Sequence, residues 1–355
     1  MNKKIVGLGL AAIAVLGLAA CQRNSSDSSS SSDSSTKVAI VTDTGGVDDK
    51  SFNQSAWEGL EAWGKENDLT KDTDYTYFQS NSESDYATNL DSAVSNGYNL
   101  VFGIGYNLHT AIEDAAKENT DTNYVIIDDV VADLDNVSSV LFADNEGAYL
   151  AGVAAAMQSK TGKVGFVGGM ESDTITRFET GFKEGVASVD SSIQVEVEYV
   201  GSYADSAKAK TIAATMYADK VDVIYHASGG SGTGVFSEAK EINEKLAADS
   251  SDKVWVIGVD RDQTDEGNYT SSDNKDSNFV LTSTIKEVGS VVKDIANAQL
   301  KGEAFNGNKT TTYGLSDGGV DIVTDNLSDS IKKAVEDAKQ KIIDGDIKVD
   351  DGLSD

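Results

Sequence analysis

From Lys37 onward, apolar and polar positions alternate along the chain in a pattern that predicts strands and helices in turn. Short β-branched runs have the length of buried parallel strands, and helical stretches with apolar residues three and four positions apart separate nearly all of them. Repeated β-α units of this kind imply parallel sheets with helices on both faces. The predicted strands are residues 38–41, 75–78, 100–103, 124–128, 164–167, 195–200, 221–225, 254–259 and 279–282.

The length of this β-α region predicts two lobes, since roughly 320 residues exceed a single typical core. The fold class is therefore α/β, and two doubly wound lobes with a cleft between them resemble the type I periplasmic-binding-protein architecture. In that architecture the chain crosses between the lobes three times, and we place the crossings near Phe142, Arg261 and Phe305. The first lobe is then residues 37–142 plus 262–305, and the second is 143–261 plus 306–355.

The first residues have the pattern of a secretion signal. Lys3 and Lys4 precede an apolar run over residues 5–18, and small residues then lead to Cys21. Residues 1–20 are predicted to be a signal peptide, and the small-residue pattern resembles a bacterial lipobox, which implies a lipid on Cys21. The serine-rich residues 21–36 predict a flexible tether, so the folded part is expected at the outer face of the cell membrane.

Charge and cysteine content exclude several classes of protein. The net charge is -30, and no basic patch is available to displace counterions from nucleic acid or to bind anionic lipid directly. Cys21 is the single cysteine, so no intrachain disulfide is expected. No later run of about 18 apolar residues predicts a membrane span.

The most informative stretch is residues 37–54, KVAIVTDTGGVDDKSFNQ. It predicts a buried strand, then a glycine turn, and then a helix with Ser51 as its N-terminal cap. Asp49, Phe52 and Asn53 then lie at the carboxyl end of the strand, which is the ligand-binding edge of an open α/β sheet. An ordinary connection with solvated carboxylates fits the spacing equally well, but a large aromatic residue at this position suits a flat, polar ligand.

This stretch closely resembles the opening of the basic membrane protein family of ABC-transporter substrate-binding lipoproteins. Further similarities lie at residues 144–152, 229–234, 258–263 and 282–286, so the resemblance covers essentially the whole mature chain. It implies a purine nucleoside receptor that closes two lobes on its ligand and delivers it to an ABC permease. We expect a monomer without a cofactor.

The resemblance also implies roles for individual residues. Phe52 is expected to stack on the base while Asn53 and Asp49 read its edge. Asp260 is expected to hold the ribose hydroxyls, with Lys286 on the same sugar or on a neighbouring carboxylate. Without the resemblance, a solvated Asp and a surface Lys fit equally well. The full candidate ligand-binding set is Asp49, Phe52, Asn53, Asp128, His226, Gly229, Gly230, Asp260 and Lys286, with His226 either facing the base or lying in the core.

A serine hydrolase does not fit the sequence. Residues 229–233 depart from the G-x-S-x-G nucleophile motif at the last position. Both histidines, His109 and His226, precede Ser231, whereas an α/β-hydrolase places its histidine last. A zinc site is also unfavourable with two histidines and one cysteine.

Calcium sites are incomplete as well. Residues 260–265 begin like a calcium loop, but they lack the Asp or Asn required at the fifth position and the Gly required at the sixth. Residues 46–49 resemble the metal-binding start of nucleoside hydrolases, yet Thr42 and Thr44 stand where further carboxylates are needed. We therefore expect no metal and no catalysis. A sugar receptor of the same fold stays open as an alternative.

Overall fold

The computed structural model of this chain describes residues 36–353. The predicted signal peptide, Cys21 and nearly all of the predicted tether lie outside the described residues. In chain order the strands are β1 (Val38–Thr42), β2 (Tyr75–Phe78), β3 (Leu100–Ile104), β4 (Asn123–Ile127), β5 (Val137–Phe142), β6 (Lys163–Gly168), β7 (Gln194–Tyr199), β8 (Val223–Ala227), β9 (Trp255–Gly258), β10 (Asn268–Thr270), β11 (Asp276–Asn278), β12 (Val280–Lys286), β13 (Lys309–Tyr313) and β14 (Val320–Ile322).

Helices separate most of these strands, as the apolar pattern predicts. Within residues 36–353, none of them has both the length and the apolar character needed to cross a bilayer. The helices are α1 (Phe52–Glu66), α2 (Tyr86–Ser95), α3 (His109–Glu118), α4 (Asp144–Gln158), α5 (Asp173–Val189), α6 (Ser206–Ala218), α7 (Thr233–Asn243), α8 (Val288–Leu300) and α9 (Asp329–Ile343).

The first sheet has six strands in the order β13-β5-β4-β3-β1-β2, and all its neighbouring strands run parallel. Every residue of β1 and β3 is buried. A parallel strand is buried on both faces, so its sequence is a continuous apolar run, which is why these two strands are easily predicted. Between β1 and α1 the chain turns at Gly46, whose φ of +71° favours glycine.

The second sheet has the order β14-β12-β9-β8-β6-β7 and is parallel except for the β12–β14 pair. Phe166, Phe182 and Tyr225 pack their rings together in its core. Helices α4 and α5 approach closely because α5 carries glycine at the contact. A Cβ atom at Gly185 would lie 2.0 Å from the carbonyl oxygen of Tyr149.

The chain passes between the sheets at places that differ in part from the expected ones. The first crossing follows Phe142, near the expected position. The second follows Lys286 rather than Arg261, because β12 pairs with β9 and α8 then packs on α1. The third follows Tyr313 rather than Phe305. The acidic loop after Arg261 marks solvent exposure and not a change of sheet, so by sheet membership residues 262–286 go with the second sheet.

Candidate functional site

A pocket lies where the carboxyl ends of strands from both sheets face each other. Residues at or just after the ends of β1, β3 and β4 form one wall, and residues at or just after β8, β9 and β12 contribute to the other. The cavity between the walls measures about 50 Å³, so the two walls lie close together. The lining residues are Asp43, Asp49, Phe52, Asn53, Gly105, Tyr106, Asn107, Asp128, Thr174, Ile175, Phe178, Tyr203, Ala227, Gly229, Val259, Asp260 and Lys286.

Asp49 lines this pocket, but its carboxylate already accepts hydrogen bonds from residues at the beginning of α1. Oδ1 accepts hydrogen bonds from the backbone N–H groups of Ser51 and Gln54, at 2.8 and 3.1 Å. Oδ2 accepts from the backbone N–H and the Nδ2 of Asn53, both at 2.9 Å. Four donors use the lone pairs of a carboxylate. Asp49 therefore satisfies the first N–H groups of the helix. Ser51 is the N-cap residue, as predicted, but its side chain makes no capping hydrogen bond.

Asp43 is a pocket carboxylate that the sequence prediction missed. Its Oδ1 accepts from the backbone N–H of Gly45 at 2.8 Å and from Asn53 Nδ2 at 2.7 Å. Among the described residues no hydrogen bond reaches Oδ2. Burial raises the pKa of Asp43 to about 7, and the negative charges of Asp49 and Asp260 act in the same direction. Protein donors thus fix one carboxyl oxygen, and in residues 36–353 none holds the other.

Asp128 and Asp260 follow strands of different sheets, and both have left-handed backbones. Their φ angles are +71° and +66°, a region that costs a residue with a side chain on the order of 1 kcal/mol or more. Asp260 accepts a hydrogen bond from the hydroxyl of Ser51 across the pocket. Burial raises the pKa of Asp260 to about 6, against the opposing effect of Lys286. Strained backbones at facing strand ends are typical of a functional site.

Lys286 ends β12 and pairs with carboxylates from two other segments. Its Nζ lies 2.6 Å from Asp128 Oδ2 and 3.2 Å from Asp144 Oδ1, with all three side chains almost fully buried. Burial acts to lower the pKa of Lys286, but Asp128, Asp144 and Asp260 together raise it above its usual value. The ammonium therefore stays charged, and it is neutralised mainly by protein groups.

Aromatic rings surround this ammonium. The ring centroids of Phe52, Phe142 and Phe178 lie 5.2, 5.0 and 5.6 Å from Lys286 Nζ. Phe52 and Phe178 also line the pocket, and they come from α1 and α5 on opposite walls. A flat ligand that enters between the walls meets an apolar ring face beside buried charges.

The two predicted glycines lie at or beside the pocket, whereas the predicted histidine lies in the core. Gly229 lines the pocket, and Gly230 lies beside it, where an added Cβ would be 3.4 Å from the Cβ of Asp49. His226 does not line it. Its Nε2 is 3.0 Å from Gln263 Oε1, and its ring packs on Phe236. Burial lowers the pKa of His226 to about 4, so this residue takes the core position of the two that the sequence allowed.

The structure therefore brings together most of the candidate residues and adds others. Besides Asp43, the sequence prediction missed Tyr106, Asn107, Phe178 and Tyr203. Tyr106 and Asn107 come directly after β3, so the rule that ligands bind at the carboxyl ends of parallel strands points to them. Tyr203 belongs to a loop after β7 and has no comparable signal. The predicted residues brought together are Asp49, Phe52, Asn53, Asp128, Gly229, Asp260 and Lys286.

The chain is similar to known binding proteins. A family model described as ABC transporter substrate-binding protein PnrA-like matches residues 36–352. An ABC transporter nucleoside-binding protein, BmpA of Lactococcus lactis subsp. cremoris, is 56% identical, and the match covers 98% of this chain and 99% of that protein. Basic membrane protein A of Borreliella burgdorferi is 33% identical, with coverage of 88% and 87%.

Solved structures show the same architecture. A crystal structure of solute-binding proteins of an ABC transporter system from Aeropyrum pernix K1 has a TM-score of 0.75 and is 26% identical. The match covers 88% of this chain and 92% of that one. The expected fold class, α/β with parallel sheets and periplasmic-binding-protein-like neighbours, is confirmed.

Proposed function

This chain belongs to the PnrA-like family of ABC transporter substrate-binding proteins, and from that membership we propose that it binds nucleosides, purine nucleosides above all, between its two lobes. It is a binding protein and not an enzyme, as the family implies. The ligand passes to the permease subunits of an ABC importer. No cofactor takes part.

The pocket itself carries this proposal. Its walls combine the ring faces of Phe52 and Phe178 with the buried carboxyl groups of Asp43 and Asp260. A nucleoside has the matching composition, since its base is flat and its sugar carries several hydroxyl donors. Stacking on an aromatic side chain contributes about 1 to 3 kcal/mol per base.

We assign the edge of the base to Asp43 and Asn107, with Asn53 holding Asp43 in place. Asn53 Nδ2 already donates to Asp43 and Asp49, and its Oδ1 accepts from the backbone N–H of Asp43 at 3.3 Å. Asp43 lines the pocket with no hydrogen-bond partner for Oδ2 among the described residues, and a carboxyl with a pKa of about 7 is present both as a donor and as an acceptor at neutral pH. Asp49 supports this arrangement from the beginning of α1.

The sugar is assigned to Asp260, with Lys286 and Asp128 beside it. A hydroxyl that donates to a buried carboxylate forms a charge-assisted hydrogen bond of about 1.5 to 3 kcal/mol. Ligand hydroxyls would replace the hydroxyl of Ser51 on Asp260. A phosphate would instead face several carboxylates in a site of low dielectric, so nucleotides are excluded.

Anchoring and delivery follow from the first residues and the family. Cys21 carries a lipid after the signal peptide is removed, and residues 22–36 tether the binding unit to the outer face of the membrane. The unit works as a monomer that presents its closed form to the permease.

A thermal-shift panel of nucleosides, free bases, nucleotides and pentoses tests the proposal. A ligand at about 100 times its dissociation constant stabilises the folded protein by about 2.7 kcal/mol. Nucleosides should raise the melting temperature and ribose should not. Stabilisation by ribose with no response to nucleosides would identify a sugar receptor instead.

A further inference from the structure

Three consecutive residues at the beginning of α4 bind three different segments. Asp144 pairs with Lys286 at the end of β12. Asn145 Nδ2 donates to the carbonyl oxygen of Val349 at 2.9 Å, near the end of the described chain. Glu146 Oε2 accepts from the backbone N–H of Leu315 at 2.8 Å. The beginning of α4 is thus the place where the segments that pass between the two sheets meet.

Asp144 differs from its two neighbours in its surroundings. Its side chain is about 1% exposed, and its carboxyl oxygens lie 3.2 and 3.3 Å from Lys286 Nζ. Among the described residues, no other hydrogen-bond partner is found for this carboxyl group. A carboxylate near a helix N-terminus is stabilised by the helix dipole even when exposed, so the dipole alone does not explain its burial. Burial of this carboxylate without a charged partner would destabilise the folded protein.

The two carboxylates that hold Lys286 belong to different parts of the fold. Asp128 follows β4 of the first sheet, whereas α4 packs against β12 and β14 of the second sheet. Opening of the two sheets would therefore separate Lys286 from Asp128. Asp144 would stay beside it, because α4 packs directly on β12.

We propose that Asp144 is a positioning residue, which keeps the Lys286 ammonium at the sugar end of the pocket when the two sheets are apart. The inference rests on the proposed nucleoside function and adds a role outside the pocket lining. Asp144 touches no ligand. Its effect is preorganisation, since an ammonium already in place loses less side-chain entropy when a sugar binds. Asp128 then completes the ion pair on closure.

Calorimetry with adenosine and adenine on matched variants tests this role. Asp144→Asn keeps the size of the side chain, and it should weaken adenosine binding at least about tenfold while changing adenine binding less than about twofold. Glu146→Gln is the control, because Glu146 lies one half-turn away and contacts Leu315 instead of Lys286. It should retain wild-type affinity for both ligands. Asp144→Ser replaces Asp144→Asn if the latter does not fold.

A double-mutant cycle with Lys286→Met separates positioning from a general structural effect. If Asp144 acts through Lys286, adding Asp144→Asn to Lys286→Met should weaken adenosine binding by less than about twofold. An equal loss for adenosine and adenine, an unchanged adenosine affinity in Asp144→Asn, or a full further loss in the Lys286→Met background would overturn the inference.

A measurement on the ligand-free protein tests this inference independently of the proposed function. Nitrogen-15 NMR of lysine side chains should show a protected Lys286 ammonium in the ligand-free wild type. Its proton exchange should be at least about tenfold faster in Asp144→Asn. If the wild type binds no adenosine, the nucleoside proposal fails, and the exchange rate alone then decides the positioning role. Equal exchange in both proteins would contradict it.

Discussion

The hydroxyl groups of Tyr106 and Tyr203 lie 3.1 Å apart, and their rings meet edge to face with centroids separated by 6.4 Å. Tyr106 follows β3 of the first sheet, and Tyr203 follows β7 of the second. Both line the pocket, and burial raises the pKa of each hydroxyl, with the negative charge of Asp43 acting in the same direction. The pair joins the two walls of the pocket, and under the proposed function we expect it to stabilise the closed form around a ligand.

Tyr203→Phe removes the hydroxyl from this pair and keeps the ring. A hydrogen bond of this kind contributes about 0.5 to 1.5 kcal/mol, so nucleoside affinity should fall by about two- to tenfold. The loss should appear mainly as faster dissociation in stopped-flow fluorescence. Tyr269→Phe is the control, because the buried Tyr269 hydroxyl has no hydrogen-bond partner among the described residues. Slower association with unchanged dissociation would contradict this role.

Phe52→Ala tests the stacking surface. The ring lines the pocket and lies 5.2 Å from Lys286 Nζ, so its loss removes an apolar face of the base site. Binding should weaken by about tenfold to a hundredfold while the fold is retained. Tyr77→Ala removes a half-buried ring outside the pocket and should leave affinity unchanged. Unchanged affinity with a lowered melting temperature in Phe52→Ala would show that Phe52 is a core residue.

Asp43 makes the stability of the ligand-free protein depend on pH. Its pKa is about 7 in the folded state, against an ordinary value of 3.8 for an aspartate side chain. Between these values the folded protein holds a proton that the unfolded chain has lost. The stabilisation is therefore complete below about pH 4 and is lost as the pH rises through about 7. Asp260, with a folded pKa of about 6, contributes in the same direction.

Asp43→Asn should flatten this dependence. The free energy of unfolding of the wild type should fall by on the order of a few kcal/mol between about pH 4 and pH 8, and the variant should lose part of that fall. Urea unfolding over this pH range measures the free energy of unfolding of both proteins. Asp91→Asn, at an exposed position, should behave as the wild type. A slope of opposite sign in the wild type would contradict a raised pKa for Asp43.

Cys21→Ala tests the membrane anchor. Two or more acyl chains hold a protein on a membrane far better than one. The variant should be released from cells or stay uncleaved, whereas the wild type should remain with the membrane fraction. Mass spectrometry of the wild-type N-terminus checks the lipid itself. An unlipidated Cys21 there would end this part of the proposal.

Local sequence signals predicted the elements that depend on local interactions. β1 is a continuous apolar run, and the turn at Gly46 needs a residue without a Cβ atom, so both are visible in the sequence. β5 was missed because Ser138 and Ser139 interrupt its apolar pattern. Both are buried, and the Ser139 hydroxyl accepts from the backbone N–H of Val131 at 3.1 Å. A polar strand residue of this kind is satisfied by a neighbour that the local pattern does not show.

Long-range pairing explains what the sequence did not reveal at the site. Lys286 and Asp128 are 158 positions apart, and only the fold shows that they form an ion pair. Asp43 stands five residues beyond the beginning of β1, yet the sequence pattern favours the carboxylates after the glycine turn. The carboxylate of Asp49 is already occupied by backbone N–H donors. The exact path of the turn decides which of the neighbouring carboxylates is occupied in this way.

Asp260→Ala tests the sugar end of the pocket. The hydrogen bonds that ribose hydroxyls would make to this carboxylate are absent from a free base. The substitution should therefore weaken adenosine binding at least about tenfold and change adenine binding little. Asp262→Ala, in the exposed loop two residues later, is the matched control. Equal losses for adenosine and adenine would overturn the assignment of Asp260 to the sugar.

The most direct test of the central claim is a calorimetric titration of the wild-type protein with adenosine, and with adenosine monophosphate in parallel. Among the described residues that line the pocket, the carboxyl groups are those of Asp43, Asp49, Asp128 and Asp260, against the one ammonium of Lys286. A phosphate with nearly two negative charges would meet like charges in a partly desolvated site, at a cost of several kcal/mol. The account predicts saturable binding of adenosine and no detectable binding of the monophosphate. Tight monophosphate binding, or no heat with adenosine or any other nucleoside, would contradict it.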